Sequence, residues 1–277
     1  MAFISIQPTD FFNTLLYTGN GSTQSLTGVG FQPDMTWIKT TSNTSNHQLH
    51  NSVAAYSYYY SRPNTTAAEI TSNSTTITAF DADGFSLGND GVINESGYTY
   101  ASWNWKGGTT SGITTDGSTT ITPSAYSFNA DAGISILKYT GNTTAGAGLA
   151  HGMGKKPAFF VAKDLGSTES WTVYHHSLGA TKFLSWNGTG AEGTSTVRWN
   201  DTEPTTTNMI LGSDTSVNNT SMVGYCFAEV PGFSRFGRFR GNGDVNGSFV
   251  FTGFRPAWLV IKKYSGAGDG WYLVDNK

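Results

Sequence analysis

Few groups in this 277-residue chain could do chemistry, and their spacing limits what each could do. Asp81, Asp83 and Gly84 stand in the string Phe80-Asp-Ala-Asp-Gly-Phe85, with Asp90 following. An Asp-x-Asp-Gly start is a candidate calcium loop, although the acidic ligand expected twelve positions along is missing, and an Asx-type turn is the competing reading. The six glutamates (Glu69, Glu95, Glu169, Glu192, Glu203, Glu229) are scattered, so no pair at strand spacing supplies the two carboxyls that glycoside hydrolysis needs. His175 and His176 are adjacent, and His47 and His50 are three apart; on a strand either pair points to opposite faces and cannot share a metal ion. Cys226 is the only cysteine. It excludes an internal disulfide and reads as a small strand residue rather than a nucleophile. No glycine-rich string ends in Lys-Ser/Thr before a helix, so no phosphate loop is present. Arg235, Arg238 and Arg240 read as a solvated edge. No cofactor is expected.

Carbohydrate binding is the chemistry the composition favours. Sugars are held by aromatic faces and by Asn, Asp and backbone groups, and both are abundant. Tyr58, Tyr59, Tyr60, Trp186 and Trp199 lie outside the strings that repeat along the chain, which leaves them free to be surface residues and candidate glycan contacts. Packing in the core or in a subunit interface is the alternative for each.

The elements that must position these groups are β-strands. Charged residues make up only 13% of the chain and aromatics 14%, with 34 Gly and an abundance of Thr, Ser and Asn. Such a composition has few helix formers and enough Trp, Tyr and Phe to bury a large core. A net charge of −3 gives no basic excess for nucleic acid. No apolar run approaches the length of a membrane span, and no secretory leader is visible.

The chain repeats itself. Tyr17-Thr-Gly-Asn20 returns as Tyr139-Thr-Gly-Asn142 and, weakened, as Phe239-Arg-Gly-Asn242. After each comes Gly-x-x-Pro and an aromatic-aliphatic run ending in Lys: Gly30 to Lys39, Gly154 to Lys163 and Gly253 to Lys262. Asn46 to Val53, Trp171 to Leu178 and Gly270 to Lys277 align next, and Tyr98 to Lys106 parallels Ser221 to Glu229. The expected organisation is a β-sandwich repeat with an N-terminal strand over residues 1–106, a Gly/Ser/Thr-rich linker or extended strand over 107–130, a second sandwich over 131–230, and an incomplete third unit over 231–277. Runs of strand length introduced by Pro, with Gly-Asn, Asn-Gly and Asp-Gly turns between them, predict antiparallel sandwiches or jelly rolls.

The strings SILKYTGN, HSLGATKFL, WNDTEPT, YCFAEVPGFSRFG, GNGDVNGSFVFTGFRPAWLVIKK and GWYLVDNK resemble the repeated domain of structural proteins of marine bacteriophages. GFQPDMTWIK, FDADGFSLGND and YASWNWKGG extend the resemblance into the first unit. It implies tandem concanavalin A-like jelly rolls in a non-enzymatic virion protein. Such a protein would be a tail or head fibre that folds in the host cytoplasm and contacts a host-surface glycan. Implied partners are itself, as a homo-oligomer, and other virion proteins. In a bacterial host the eleven Asn-x-Ser/Thr sequons would carry no glycan. Members of this family commonly complete the third unit, and this sequence stops short. Truncation and strand exchange between subunits both account for that. Phe249, Phe251, Trp258 and Trp271 are then the expected assembly edge. A self-assembling extracellular filament is the alternative function, and a glycan-degrading enzyme the weakest.

Overall fold

The computed structural model describes residues 6–277; residues 1–5, the start of the first unit, lie outside it. The architecture is all-β, with no α-helix among the described residues. The first unit contains β1 (Phe12–Thr18), β2 (Gln24–Thr27), β3 (Met35–Thr40), β4 (Gln48–Asn51), β5 (Tyr60–Ser61), β6 (Ile77–Asp81), β7 (Gly84–Leu87) and β8 (Thr99–Trp105). One sheet has the order β1-β8-β3-β4-β5 and faces a smaller sheet, β2-β7-β6.

The segment 107–130 is no free linker. It supplies β9 (Thr119–Ile121) and β10 (Ala125–Asn129) to the sheets of the second unit. That unit continues with β11 (Ile134–Tyr139), β12 (Ala147–Ala150), β13 (Phe159–Asp164), β14 (Thr172–His175), β15 (Lys182–Ser185), β16 (Gly193–Thr194), β17 (Asn208–Leu211) and β18 (Met222–Phe227). Its large sheet runs β10-β11-β18-β13-β14-β15-β16 and its small one β17-β12-β9. The central order β11-β18-β13-β14-β15 is that of the first unit, strand for strand. Only a hairpin, β19 (Trp258–Lys262) with β20 (Trp271–Asp275), forms from the third repeat.

Both large sheets are apolar on both faces, each meeting its own small sheet on one side and a shared middle core on the other. On β3, Met35 and Trp37 point to one core while Ile38 points to another; on β8, Trp103 and Trp105 oppose Tyr100 in the same way. On β13, Phe159 and Val161 join the first core, and Phe160 and Ala162 enter a third. This is period-two alternation in which neither face is polar, the pattern of a strand covered on both sides. The shared middle core, between the two large sheets, takes Trp37, Trp103 and Trp105 from one unit and Phe159, Trp171 and Tyr225 from the other.

The Tyr-Thr-Gly-Asn repeat is a latch. Tyr17 Oη donates to the Ile93 carbonyl at 2.7 Å, and Tyr139 Oη to the Val217 carbonyl at 2.6 Å. A Cβ at Gly19 or Gly141 would fall within 2.5 Å of the backbone of the loop before the closing strand. Asn94 and Asn218, both fully buried, bind that turn from below through equivalent bonds to Asn20 and Asn142.

Strand pairing also corrects one alignment. Phe159 opposes His175, Met35 opposes Asn51 and Trp258 opposes Asp275. His47, Trp171 and Trp271 are therefore equivalent, one residue away from the register the sequence strings suggest.

Candidate functional site

The aspartates of the candidate calcium loop are held by donors instead. Asp81 accepts from Ser86 Oγ at 2.7 Å, and Asp83, in the two-residue turn between β6 and β7, accepts from the Gly28 and Gly30 amides at 3.0 and 2.6 Å. Asp90 takes bonds from Gln48 Nε2, Asn73 Nδ2 and the Val92 and Ile93 amides. Asp83 and Asp90 thus spend both carboxylate oxygens on N–H donors, whereas Asp81 accepts only the Ser86 hydroxyl. Among the described residues no three His, Cys, Asp or Glu side chains cluster closely enough to hold a metal ion.

The aromatic candidates separate sharply. Trp199 is fully buried, edge-on to Phe160 and Tyr174, and donates Nε1–H to the Lys182 carbonyl at 3.0 Å. It cannot stack on a sugar. Tyr60 is buried as well, in β5 against His50. Trp186 is half-buried and stacks on Trp271 at 4.5 Å between ring centres, inside the junction of the second and third units. Trp258 and Trp271, expected at a free edge, instead turn inward against the middle core. Phe249 and Phe251 do stand out, at 90% and 79% exposure.

Tyr58 and Tyr59 remain at the surface, half-buried, together with Tyr56, which the residue pattern did not single out. The three rings form one platform: Tyr56 and Tyr58 stack at 5.1 Å and 15°, and Tyr59 meets both edge-on. The β4–β5 loop that carries them is pinned by Thr76 Oγ1 on the Tyr58 carbonyl and Ser57 Oγ on the Thr78 carbonyl. A rigid platform of stacked phenols suits the C–H face of a sugar. The presence of Tyr56 in it was legible as a fourth tyrosine two residues upstream; its stacking was not, because the loop curls back on itself.

A second polar site escaped sequence reasoning altogether. Lys155, Lys156, His176, Glu203 and Glu229 line a surface groove of about 390 Å³. They come from four separate stretches, so no local spacing marks them. Glu203 accepts from Tyr174 Oη and the Ala180 amide and pairs with Lys156 at 3.4 Å. Glu229 accepts from Arg235 and the Phe236 amide. Both carboxylates are thus held in place by hydrogen-bond donors.

Buried titratable groups elsewhere serve packing. His151 is held neutral, its pKa lowered to about 4 by burial, with Nδ1 accepting from the Met153 amide and Nε2 facing the Thr205 carbonyl. Burial raises the Cys226 thiol well above its ordinary range. Lys163, lowered to about 8 by burial, spends its ammonium on the carbonyls of Asp164, Ser167, Glu169 and Thr66.

Residues 7–277 match the model of a family described as a domain of unknown function, DUF7483. The chain belongs to this family. No curated protein and no solved structure matches it. Asn94 and Asn218, both in glycosylation sequons, are buried in the latch and closed to any glycan of their own.

Proposed function

We propose that the chain is a non-enzymatic structural module of a virion appendage, a tail or head fibre built from tandem jelly rolls, that contacts a glycan on the host surface. The observation that carries this reading is where the aromatics go. Seven of the eight tryptophans pack in the middle core that joins the units, and the tyrosine platform is left facing outward. A module of this kind transmits position, and its surface chemistry is confined to loops. The resemblance of its repeated strings to marine phage structural proteins supplies the setting. The engagement of Asp81, Asp83, Glu203 and Glu229 by donors speaks against a glycan-cleaving role.

The test is binding of the purified protein to lipopolysaccharide and capsular polysaccharide of marine bacteria, measured by calorimetry and by release of reducing ends. Binding without cleavage is expected. It should weaken about tenfold in a Tyr56→Ala/Tyr58→Ala variant, because loss of two stacking faces removes on the order of 1–2 kcal/mol. Cleavage of the polysaccharide, or binding indifferent to both tyrosines, would overturn the reading.

A further inference from the structure

The two large sheets are built alike beyond β4 and β14. β14 pairs with β15 and β15 with β16; β4 pairs with β5, and Tyr60 of β5 exchanges both backbone bonds with Ile70. Leu49 opposes Ser61 as Val173 opposes Leu184, so Tyr60 stands where Phe183 stands and Tyr59 where Lys182 stands. Phe183 in turn opposes Gly193 as Tyr60 opposes Ile70, which puts Glu69 at the position of Glu192 and Thr71 at that of Thr194. The backbone agrees. The Glu69 amide donates to the Leu165 carbonyl at 3.0 Å and the Glu192 amide to the Tyr264 carbonyl at 2.8 Å, each reaching the following unit. The loops are one motif in two copies, Thr66-Ala-Ala-Glu69 and Thr189-Gly-Ala-Glu192.

In the second unit these positions hold an ion pair. Lys182 Nζ lies 3.6 Å from Glu192 Oε1 and donates to Thr194 Oγ1 at 2.9 Å. Side chains at the two positions therefore share a face and touch, as diagonal neighbours across an antiparallel pair do when they are long enough.

In the first unit the lysine is replaced and the glutamate is kept. Tyr59 takes the lysine's place and meets the stacked Tyr56 and Tyr58 edge-on. Of the six glutamates, Glu95 and Glu169 are exposed to water, while Glu192, Glu203 and Glu229 are paired with cations or donors. Glu69 alone is half-buried with neither a hydrogen bond nor an ion pair to its carboxylate among the described residues. Burial raises its pKa, and Lys138 of the second unit offsets the rise without coming close enough to pair with it. The Tyr59 phenol is raised by desolvation, by Tyr58 and Tyr56, and by the charge of Glu69. A carboxylate drawn from water without a donor is an open half of an interaction.

We infer that the first unit takes from its ligand the cation that the second unit supplies itself: Glu69 and the tyrosine platform bind an amino sugar whose nitrogen is free and protonated. Its ammonium takes the place of Lys182 Nζ, between the Glu69 carboxylate and the Thr71 hydroxyl, and the C–H face of its ring lies on the phenols. Phenol faces attract a cation and the carboxylate completes a charge-assisted hydrogen bond to it. An N-acetylated sugar, being neutral, gains only the stacking. The inference rests on the reading of the platform as a glycan site and adds the charge of the sugar that the site selects.

The probes are a glucosamine oligosaccharide and its fully N-acetylated counterpart of equal length, each titrated into the intact 277-residue protein at neutral pH and followed by calorimetry. The amine form should bind about tenfold more tightly. Glu69→Gln keeps the size of the side chain and removes its charge. Tyr59→Lys puts the second unit's own cation in the place meant for the ligand's. Each variant should bring the two affinities to within about twofold of one another. Equal binding of the two oligosaccharides to the unaltered protein, lost in Tyr56→Ala/Tyr58→Ala, would overturn the inference and leave the platform a site for neutral glycans. A preference for the amine that survives Glu69→Gln would place the cation elsewhere and overturn it as well. Binding of neither oligosaccharide would remove the glycan reading of the platform together with the inference.

Discussion

Asn218→Ala tests whether the repeated latch holds each unit closed. The Asn218 side chain is fully buried and makes three useful bonds. Its Nδ2 donates to the Gly212 carbonyl at 2.7 Å and the Thr144 carbonyl at 3.1 Å, and its Oδ1 accepts from the Asn142 amide at 2.8 Å. Gly212 is buried and Asn142 and Thr144 are exposed. Truncation thus orphans one buried carbonyl, at about 1–3 kcal/mol, and exchanges two bonds for water at about 0.5–1.5 kcal/mol each. The expected loss is about 3 kcal/mol, read from urea unfolding as a lowered midpoint with an unchanged slope. In a thermal scan this corresponds to a fall of roughly 6–12 °C. Asn94→Ala in the first unit removes the matching bonds to the Gly88 and Ser22 carbonyls and the Asn20 amide, and should cost a similar amount. Asn246→Ala, at an exposed turn, is the control and should cost under about 0.5 kcal/mol. If both buried variants lose less than about 1 kcal/mol, the latch is a passive turn and the reasoning from its burial fails.

Two further outcomes are expected. His151 has a folded pKa of about 4 against an unfolded value near 6.5, so the unfolded chain takes up its proton first and stability falls as the pH drops from about 6.5 to about 4. The fall attributable to this group is roughly 3 kcal/mol; His151→Gln should remove that share and leave the rest to His47, His50 and His175, which burial also lowers to about 4, and an unchanged slope would refute the assignment. Cys226 is fully buried with a raised thiol pKa, so a thiol reagent should label the native protein no faster than it unfolds and label it fully in denaturant; rapid labelling of native protein would contradict the burial of β18.

The sequence by itself determined the class and the periodicity. Composition and turn pairs require strands, and Gly-x-x-Pro before an aromatic run starts β3, β13 and β19 where it stands, because Pro ends one course of the chain and the β-branched and aromatic residues after it begin another. Tyr-Thr-Gly-Asn was legible as a repeat because it is one local string, although its role as a latch depends on Asn94 and Asn218, some 75 residues away. The tyrosine run was legible, too. Its division into a buried Tyr60 and an exposed platform was not.

Only the tertiary structure decided which aromatics were free. Trp199 and Trp186 look alike to a reader of strings, yet one lies inside a unit and the other between units, since burial is set by what packs across a sheet rather than along a strand. The same holds for Trp258 and Trp271, drawn from an expected edge into the middle core by neighbours more than 85 residues away. The placement of Tyr59 beside Glu69 is likewise invisible in one dimension. It rests on the bridge of Tyr60 with Ile70 and on the matching pair of Lys182 and Glu192, because a cross-strand neighbour is set by register and not by spacing along the chain.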